Sequence, residues 1–441
     1  MVAFVRAAGR IVVRRLIDDW LMLTVLTATV LAAMVQLAAA PMYRDAVTTG
    51  AMQRILADAP AADTTIVVET RAAPEHHAEI DTTVSGSVEG VTTGVGSLVT
   101  RRLASASSYD LLSDSSKPIV MSLSAPVGIE DHAGLLDGLW PSPEERDGAA
   151  LVAAISQRAA DELGVAVGDE LKLNDRRSGR HFTVRLVGVF EVSDPTSPFW
   201  LDDDLLTVGV SETLSTTAVG PLVVDPSVLL GESGAIQPAR LVATWLIEPR
   251  LDRLTVDAVD DLRRSLDRLP DELERASLRL SPEATSTTSA FDVTSLLPEL
   301  LLDTNRSLAV TRSGLYAVVA QLALLAALAL AIAAGLLIDT RRRETTLLEA
   351  RGISRRQLIA FALLEAAVLV VPVAVVAPWV AAALLRLVGR VGPLATIDLA
   401  VDAPVNREAL ITVGIAAVIT IVLLAWPSVR ATTSITNPLS H

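Results

Sequence analysis

The sequence predicts a membrane α-helical protein, with four transmembrane helices and one large α+β extracytoplasmic domain between the first and the second. Three observations predict it. The 441 residues are 51% apolar with a mean hydropathy of +0.46, above that of an ordinary soluble domain. The excess sits in four runs, Leu21–Ala40, Leu315–Ile338, Leu358–Leu385 and Ala409–Trp426, each long enough as helix to match a hydrocarbon core of about 30 Å. Glu365 is the only charged residue inside any of them, which argues against buried helices of a soluble core. The arginines, finally, gather on alternate sides of these runs.

Residues 1–19 carry Arg6, Arg10, Arg14 and Arg15. Three of these share one helical face, which suits a cytoplasmic amphipathic helix on the inner leaflet; a plain extension of the first span fits equally. The first span is 20–40. Its Ala38-Ala39-Ala40 end has the small residues of a leader cleavage site, but the run is longer than a usual leader core and follows the acidic pair Asp18-Asp19. We read it as a retained span.

Residues 41–312 form the outer region. It holds most of the acidic residues behind the net charge of −14, a field that disfavours nucleic acid and anionic headgroups. The chain has no cysteine, so this domain is stable without disulfides. Thr64–Glu69 and Ile119–Leu123 are β-rich. From Asp81 to Ser116 the chain is rich in Ser, Thr and Gly, with a helix expected near Leu98–Ala104 and no structure assigned to the remainder. Leu151–Leu163 is helical in pattern and stopped by Gly164. Strands at Glu170–Leu173 and His181–Val189 flank turn chemistry at Asn174–Gly179. Leu241, Ala243, Trp245 and Ile247 alternate as a strand; Val256, Val259, Leu262 and Leu266 recur as a helix ending before Pro270. Mixed elements of this kind give an α+β domain of one or two lobes. Glu299–Val310 is apolar at helical spacing and runs toward the second span, either as a stalk continuous with it or as a domain-closing helix.

The second span is 313–338. It is followed by a cytoplasmic segment, 339–356, with Arg341, Arg342, Arg343, Arg351, Arg355 and Arg356, then the third span, 357–385. The loop 386–408 opposes its three arginines with Asp398, Asp402 and Glu408, and lies outside. The fourth span, 409–426, leads to the tail 427–441 with Arg430. By the positive-inside rule both termini are cytoplasmic and the protein is a multi-pass protein of the cell membrane.

Within 339–356, Gly352 is placed to end one helix, and Ser354 with Gln357 forms a capping box for the next. Leu347 and Leu348 project from an otherwise charged surface element, a plausible docking knob; a generic positive-inside loop explains the arginines as well. The run from Ile338 through Arg341-Arg342-Arg343-Glu344, Leu347-Leu348, Ala350-Arg351-Gly352 and Ser354-Arg355-Arg356-Gln357-Leu358 to Glu365 resembles the signature of FtsX-like, MacB-type ABC transporter permeases, above all the actinobacterial ones. Ala153–Leu173, Val187-Gly188-Val189-Phe190 and Asp194-Pro195-Thr196-Ser197-Pro198-Phe199-Trp200 resemble the extracytoplasmic domain of that family. Many members of the actinobacterial type continue into a second outer domain and further spans, so this chain reads as a half-size subunit or as a piece of a longer product.

The resemblance implies a permease subunit that couples ATP hydrolysis by a separate ATPase to motion of the outer domain, moving a lipid-linked, lipoprotein, peptide or drug-like substrate. It assigns ATPase docking to Arg341, Arg342, Arg343, Glu344, Leu347, Leu348, Arg351, Gly352, Ser354 and Arg355. Glu365 is an intramembrane polar residue, functional by default or simply reaching interfacial water. The implied partners are that ATPase, a second permease copy or half, the bilayer, and cargo or a partner protein outside. The alternative within the same resemblance is a signal transmitter that activates extracytoplasmic cell-wall hydrolases; those relatives usually have a much smaller outer domain. A membrane-anchored receptor or adhesin accounts for the domain but not for the arginine segment.

No catalytic or cofactor chemistry is legible. Neither Lys117 nor Lys172 lies in a phosphate-binding Gly-x-x-x-x-Gly-Lys-Ser/Thr loop, so ATP belongs to the partner. His76-His77 lacks accompanying ligands and reads as a solvated loop; His132, His181 and His441 are isolated. Serines occur without a nucleophile elbow. The chain is expected not to be an enzyme.

Overall fold

In the computed structural model, residues 20–113, 117–143, 150–201, 203–232, 236, 238–349, 355–391 and 405–430 are described. They fall into two compact units, one within Met1–Met52 and Arg306–His441, the other Gln53–Asn305. The N-terminal amphipathic segment 1–19 lies outside the described residues.

In chain order, helix α1 (Trp20–Ala57) and the single turn α2 (Ala61–Thr64) precede β1 (Ile66–Ala72) and α3 (His77–Thr92). Strands β2 (Ser97–Ser105), β3 (Tyr109–Leu111), β4 (Ile119–Met121), β5 (Leu123–Pro126), β6 (Ala133–Gly138) and β7 (Leu151–Ser156) follow. Next come α4 (Gln157–Leu163), β8 (Glu170–Asp175), β9 (His181–Val192), α5 (Asp204–Val208), β10 (Val210–Glu212), β11 (Thr217–Val219), β12 (Leu222–Val223) and α6 (Pro226–Leu229). The order closes with β13 (Leu241–Pro249), α7 (Val259–Ser277), α8 (Pro282–Thr287), β14 (Asp292–Thr294), and the long helices α9 (Leu297–Glu349), α10 (Arg355–Val391) and α11 (Arg407–Arg430).

The strands join into one mixed sheet in the order β10-β11-β4-β3-β8-β9-β7-β12-β5-β2-β13-β1-β14, with β6 beside β9. The pairs β4–β11, β5–β12 and β7–β9 are parallel and the rest antiparallel. The strands near its middle are apolar because both faces are covered: all six residues of β7 are buried. This corrects the expected helix over Leu151–Leu163. Leu151–Ser156 is a strand and only Gln157–Leu163 is helical, with Gly164 closing it at φ +67°. A continuous apolar run does not distinguish a doubly buried strand from a buried helix.

Leu98–Ala104 is likewise strand, not helix, because β2 pairs along its length with β13 and over Arg102–Ala104 with β5. Upstream of it, α3 is regular despite its Thr, Ser and Gly content, since Ile80, Val84, Val88 and Val91 form a buried stripe that packs on α7. The stripe of α7 itself, Val259, Leu262, Leu266, Leu269 and Leu273, passes straight through Pro270, where an end was expected. Pro270 sits on the exposed side, and packing of the stripe outweighs its cost of about 3 kcal/mol. The expected β8–β9 hairpin and β13 form as read.

In the other unit, α1 contributes Leu26, Val30, Ala33, Met34, Ala38 and Met42 to a core shared with Val370, Val373, Ala377 and Ala381 of α10 and Ala409, Val413 and Ala417 of α11. Small residues at these positions let the helix backbones approach closely. The outward faces are equally apolar, with Val368, Val371, Val375, Ile411, Ile415 and Val418 exposed, the pattern of helices surrounded by lipid. Among the described residues, Thr24–Ala57, Leu363–Leu387 and Arg407–Leu424 are long and apolar enough to cross a bilayer, and Val319–Ala329 of α9 is a shorter apolar stretch. Helix α1 does not stop near residue 40 but continues through Pro41 to Ala57. Helix α9 is continuous from Leu297 to Glu349, roughly 80 Å of helix against a core of about 30 Å. The apolar segment Glu299–Val310 therefore belongs to the same helix as residues 313–338.

Candidate functional site

The arginine-bearing segment divides at its middle. Arg341, Arg342, Arg343, Glu344, Leu347 and Leu348 occupy the last turns of α9, and Arg355 opens α10. Arg351, Gly352 and Ser354 lie outside the described residues, and with them the expected helix stop at Gly352 and the Ser354–Gln357 box. Glu365 is in α10, partly buried between exposed Leu364 and buried Ala366.

In the same unit the structure assembles a polar cluster that sequence reading passed over. Arg44 and Asp45 of α1 meet Asn406 and Glu408 at the start of α11. Arg44 Nε and Nη2 donate to Asp45 Oδ1 at 3.0 and 2.8 Å, and Nη2 also donates to Glu408 Oε2. Asn406 Nδ2 donates to Asp45 Oδ2 at 2.6 Å, while its Oδ1 accepts the Ala409 N–H at 2.8 Å and so caps α11. Glu408 lies in the first turn of that helix, where the macrodipole favours a carboxylate. The available signal was a cap residue and a carboxylate ahead of one apolar run, and an Arg-Asp pair just after another.

The α/β unit explains the motifs at Val187–Phe190 and Asp194–Trp200. A Cβ at Gly188 would lie 2.3 Å from the Leu139 carbonyl oxygen, and one at Gly138 2.0 Å from that of Val187. The two glycines thus permit β6 and β9 to close where their register shifts. Asp194 Oδ1 accepts from the Thr196 N–H, and Ser197 Oγ from the Phe199 N–H, setting the turn that drives Phe199 and Trp200 into a core with Phe190, Ile129 and Leu206. From β2, the buried Arg102 reaches under this turn: Nη1 donates to Leu201 O at 3.0 Å, Nη2 donates to Phe199 O, and Asp203 stands 3.9 Å away. His132 stacks on Phe199 with ring centroids 4.0 Å apart.

The adjacent Arg101 points the other way. Its Nε donates to Asp81 Oδ1 at 2.6 Å, and Trp245 Nε1 donates to the same oxygen at 2.8 Å, pinning α3 to β2 and β13. Burial pushes the Asp81 carboxyl up, but the hydrogen bonds from Trp245 and Arg101 together hold it below the usual carboxylate range. His77 is not in a solvated loop: it opens α3 and stacks parallel to Trp245, and burial lowers its pKa. No group of three or more His, Asp or Glu side chains is placed to hold a metal ion among the described residues.

Residues 316–436 match the FtsX-like permease C-terminal family. No curated protein matches the chain. Among solved structures, a domain of a Porphyromonas gingivalis protein described as a permease is similar at 15% identity and a TM-score of 0.27, over 54% of this chain and 92% of that one. The extracellular domain of the noncanonic ABC-type transporter YknZ from Gram-positive bacteria is similar at 16% identity and a TM-score of 0.24, over 52% and 100%. Likenesses at this level bear on neither substrate nor partner.

Proposed function

From the match of residues 316–436 to the FtsX-like permease C-terminal family, we propose that this chain is the permease subunit of an ABC transporter whose ATPase is a separate polypeptide. ATP hydrolysis on the inner face moves the spans, and the motion reaches the α/β unit, 53–305, outside the bilayer, where a lipid-linked, lipoprotein, peptide or drug-like substrate is handed on. The family match carries this reading, because it covers residues 316–349 of α9, the connection to α10 and the whole of α10. In this assignment Arg341, Arg342, Arg343, Glu344, Leu347, Leu348, Arg351, Gly352, Ser354 and Arg355 form the ATPase-docking segment. A second permease copy or half completes the transporter, and both termini are cytoplasmic.

Two features support the mechanical part. Asn406 and Glu408 at the start of α11 contact Asp45 and Arg44 toward the C-terminal end of α1, so these two ends share one side, as the topology requires. The continuity of α9 gives a displaced span a single element reaching from residue 349 back to residue 297. Charge reversal at Arg351 and Arg355 tests the assignment: ATPase co-purification should fall while membrane insertion stays intact. Unchanged recovery rejects that surface, and full activity without any nucleotide-hydrolysing companion rejects the reading.

A further inference from the structure

The cluster of Arg44, Asp45, Asn406 and Glu408 has a property that a permanent brace does not need. Each residue that would lose a partner on separation keeps another on its own helix, or water. Arg44, 15% exposed, retains two hydrogen bonds to Asp45 if Glu408 leaves. Asn406 retains the Ala409 N–H if Asp45 leaves. Asp45 and Glu408 have side chains 43% and 60% exposed, so neither carboxylate is stranded in an apolar site. The usual large penalty for breaking a buried ion pair, an uncompensated charge, does not arise. Beside the cluster, by contrast, Met42 and Ala409 are 1% and 0% exposed and belong to one buried apolar cluster, so parting the helices there brings water to dry side chains.

We propose that these four residues are a reversible latch between the helix that leads into the α/β unit and the last helix, closed as observed and opened during the ATP-driven cycle. The second half of that statement rests on the proposed function; the latch itself does not. Opening detaches the first turn of α11 from α1 without unmaking either helix. Closing restores the Arg44–Glu408 ion pair and the Asn406–Asp45 hydrogen bond.

The absence of cysteine from the chain makes a test direct. In the full chain in lipid nanodiscs, Ala409→Cys places the only thiol beneath the latch, and labelling by a water-soluble maleimide reads its opening. Asn406→Asp keeps the cap but sets a carboxylate against Asp45, and should speed labelling about tenfold. Asn406→Ser keeps the cap and removes only the cross-helix donor, and should speed it less. With the ATPase bound, ATP should raise the rate in the parent. Met42→Cys, the α1 member of the same buried cluster, repeats the measurement should Ala409→Cys assemble poorly. Equal rates in parent, Asn406→Ser and Asn406→Asp overturn the latch, and an ATP-independent rate in a hydrolysing complex overturns its part in the cycle. If the variants behave as expected while no ATPase can be recovered, the latch stands and the transporter reading fails.

Discussion

Arg101 and Arg102 are neighbours on one strand, and replacing each by Met should have sharply different consequences. Arg102 is 4% exposed, and its guanidinium donates to the carbonyls of Phe199 and Leu201 with Asp203 at 3.9 Å. Removing it takes those donors from two carbonyls beneath a turn whose aromatic residues are themselves core, and takes the cation from a carboxylate. Losing one buried, hydrogen-bonded guanidinium should cost about 3–5 kcal/mol; the roughly 1–3 kcal/mol for each acceptor deprived of its donor falls within that figure and is not added to it, because all the partners share one group. For a unit of this size that lowers Tm by roughly 6–20 °C. Arg101 is 40% exposed and paired with the half-buried Asp81, so Arg101→Met should cost about 1 kcal/mol or less. Denaturant titration of the full chain in detergent, followed by labelling of a single thiol at the fully buried Ala154→Cys, measures both. Arg102→Met within about 1 kcal/mol of Arg101→Met would refute the assignment of Arg102 as the anchor of the 199–203 turn.

Gly188→Ala should be destabilising by about 1–3 kcal/mol or more, since its Cβ would meet the Leu139 carbonyl at 2.3 Å. Gly86→Ala, on the exposed face of α3 with nothing within 4 Å, should instead stabilise by up to about 1 kcal/mol; the same thiol assay checks both signs. The depressed pKa of Asp81 contributes stability that is complete above the unfolded value near 4 and is lost as pH falls toward the lower folded value. Asp81→Asn should therefore be less stable than the parent at pH 7, with the gap narrowing below about pH 4; a gap independent of pH would refute the linkage.

Much of the fold was legible because it depends on periodicity. The apolar runs from 358 to 385 and 409 to 426 fall inside α10 and α11, and the β8–β9 hairpin and β13 follow from alternation and turn residues. The misread elements share a cause. Leu151–Ser156 and Leu98–Ala104 are strands because strands distant in sequence flank them, and α3 and the far half of α7 are helices because each supplies the other's buried stripe. Local propensity is worth tenths of a kcal/mol per residue and yields to such packing. The motifs at Val187–Phe190 and Asp194–Trp200 were visible as residues, but not the reasons for them, which lie in the carbonyl of Leu139 and the side chain of Arg102.

The sequence by itself determined that the chain is built around membrane-length apolar helices with a large domain between the first and second, because hydrophobic length and alternation are properties of the chain read in order. Tertiary structure alone decided which charged residues matter to which neighbour. Arg101 and Arg102 have nearly the same composition around them and opposite surroundings, because successive side chains on a strand point to opposite faces. Arg44 and Glu408 are hundreds of residues apart and meet only because their helices contribute to one buried apolar cluster. Hydrogen bonds form only when donor and acceptor come within about 3 Å, so nothing in the linear order of residues contains them.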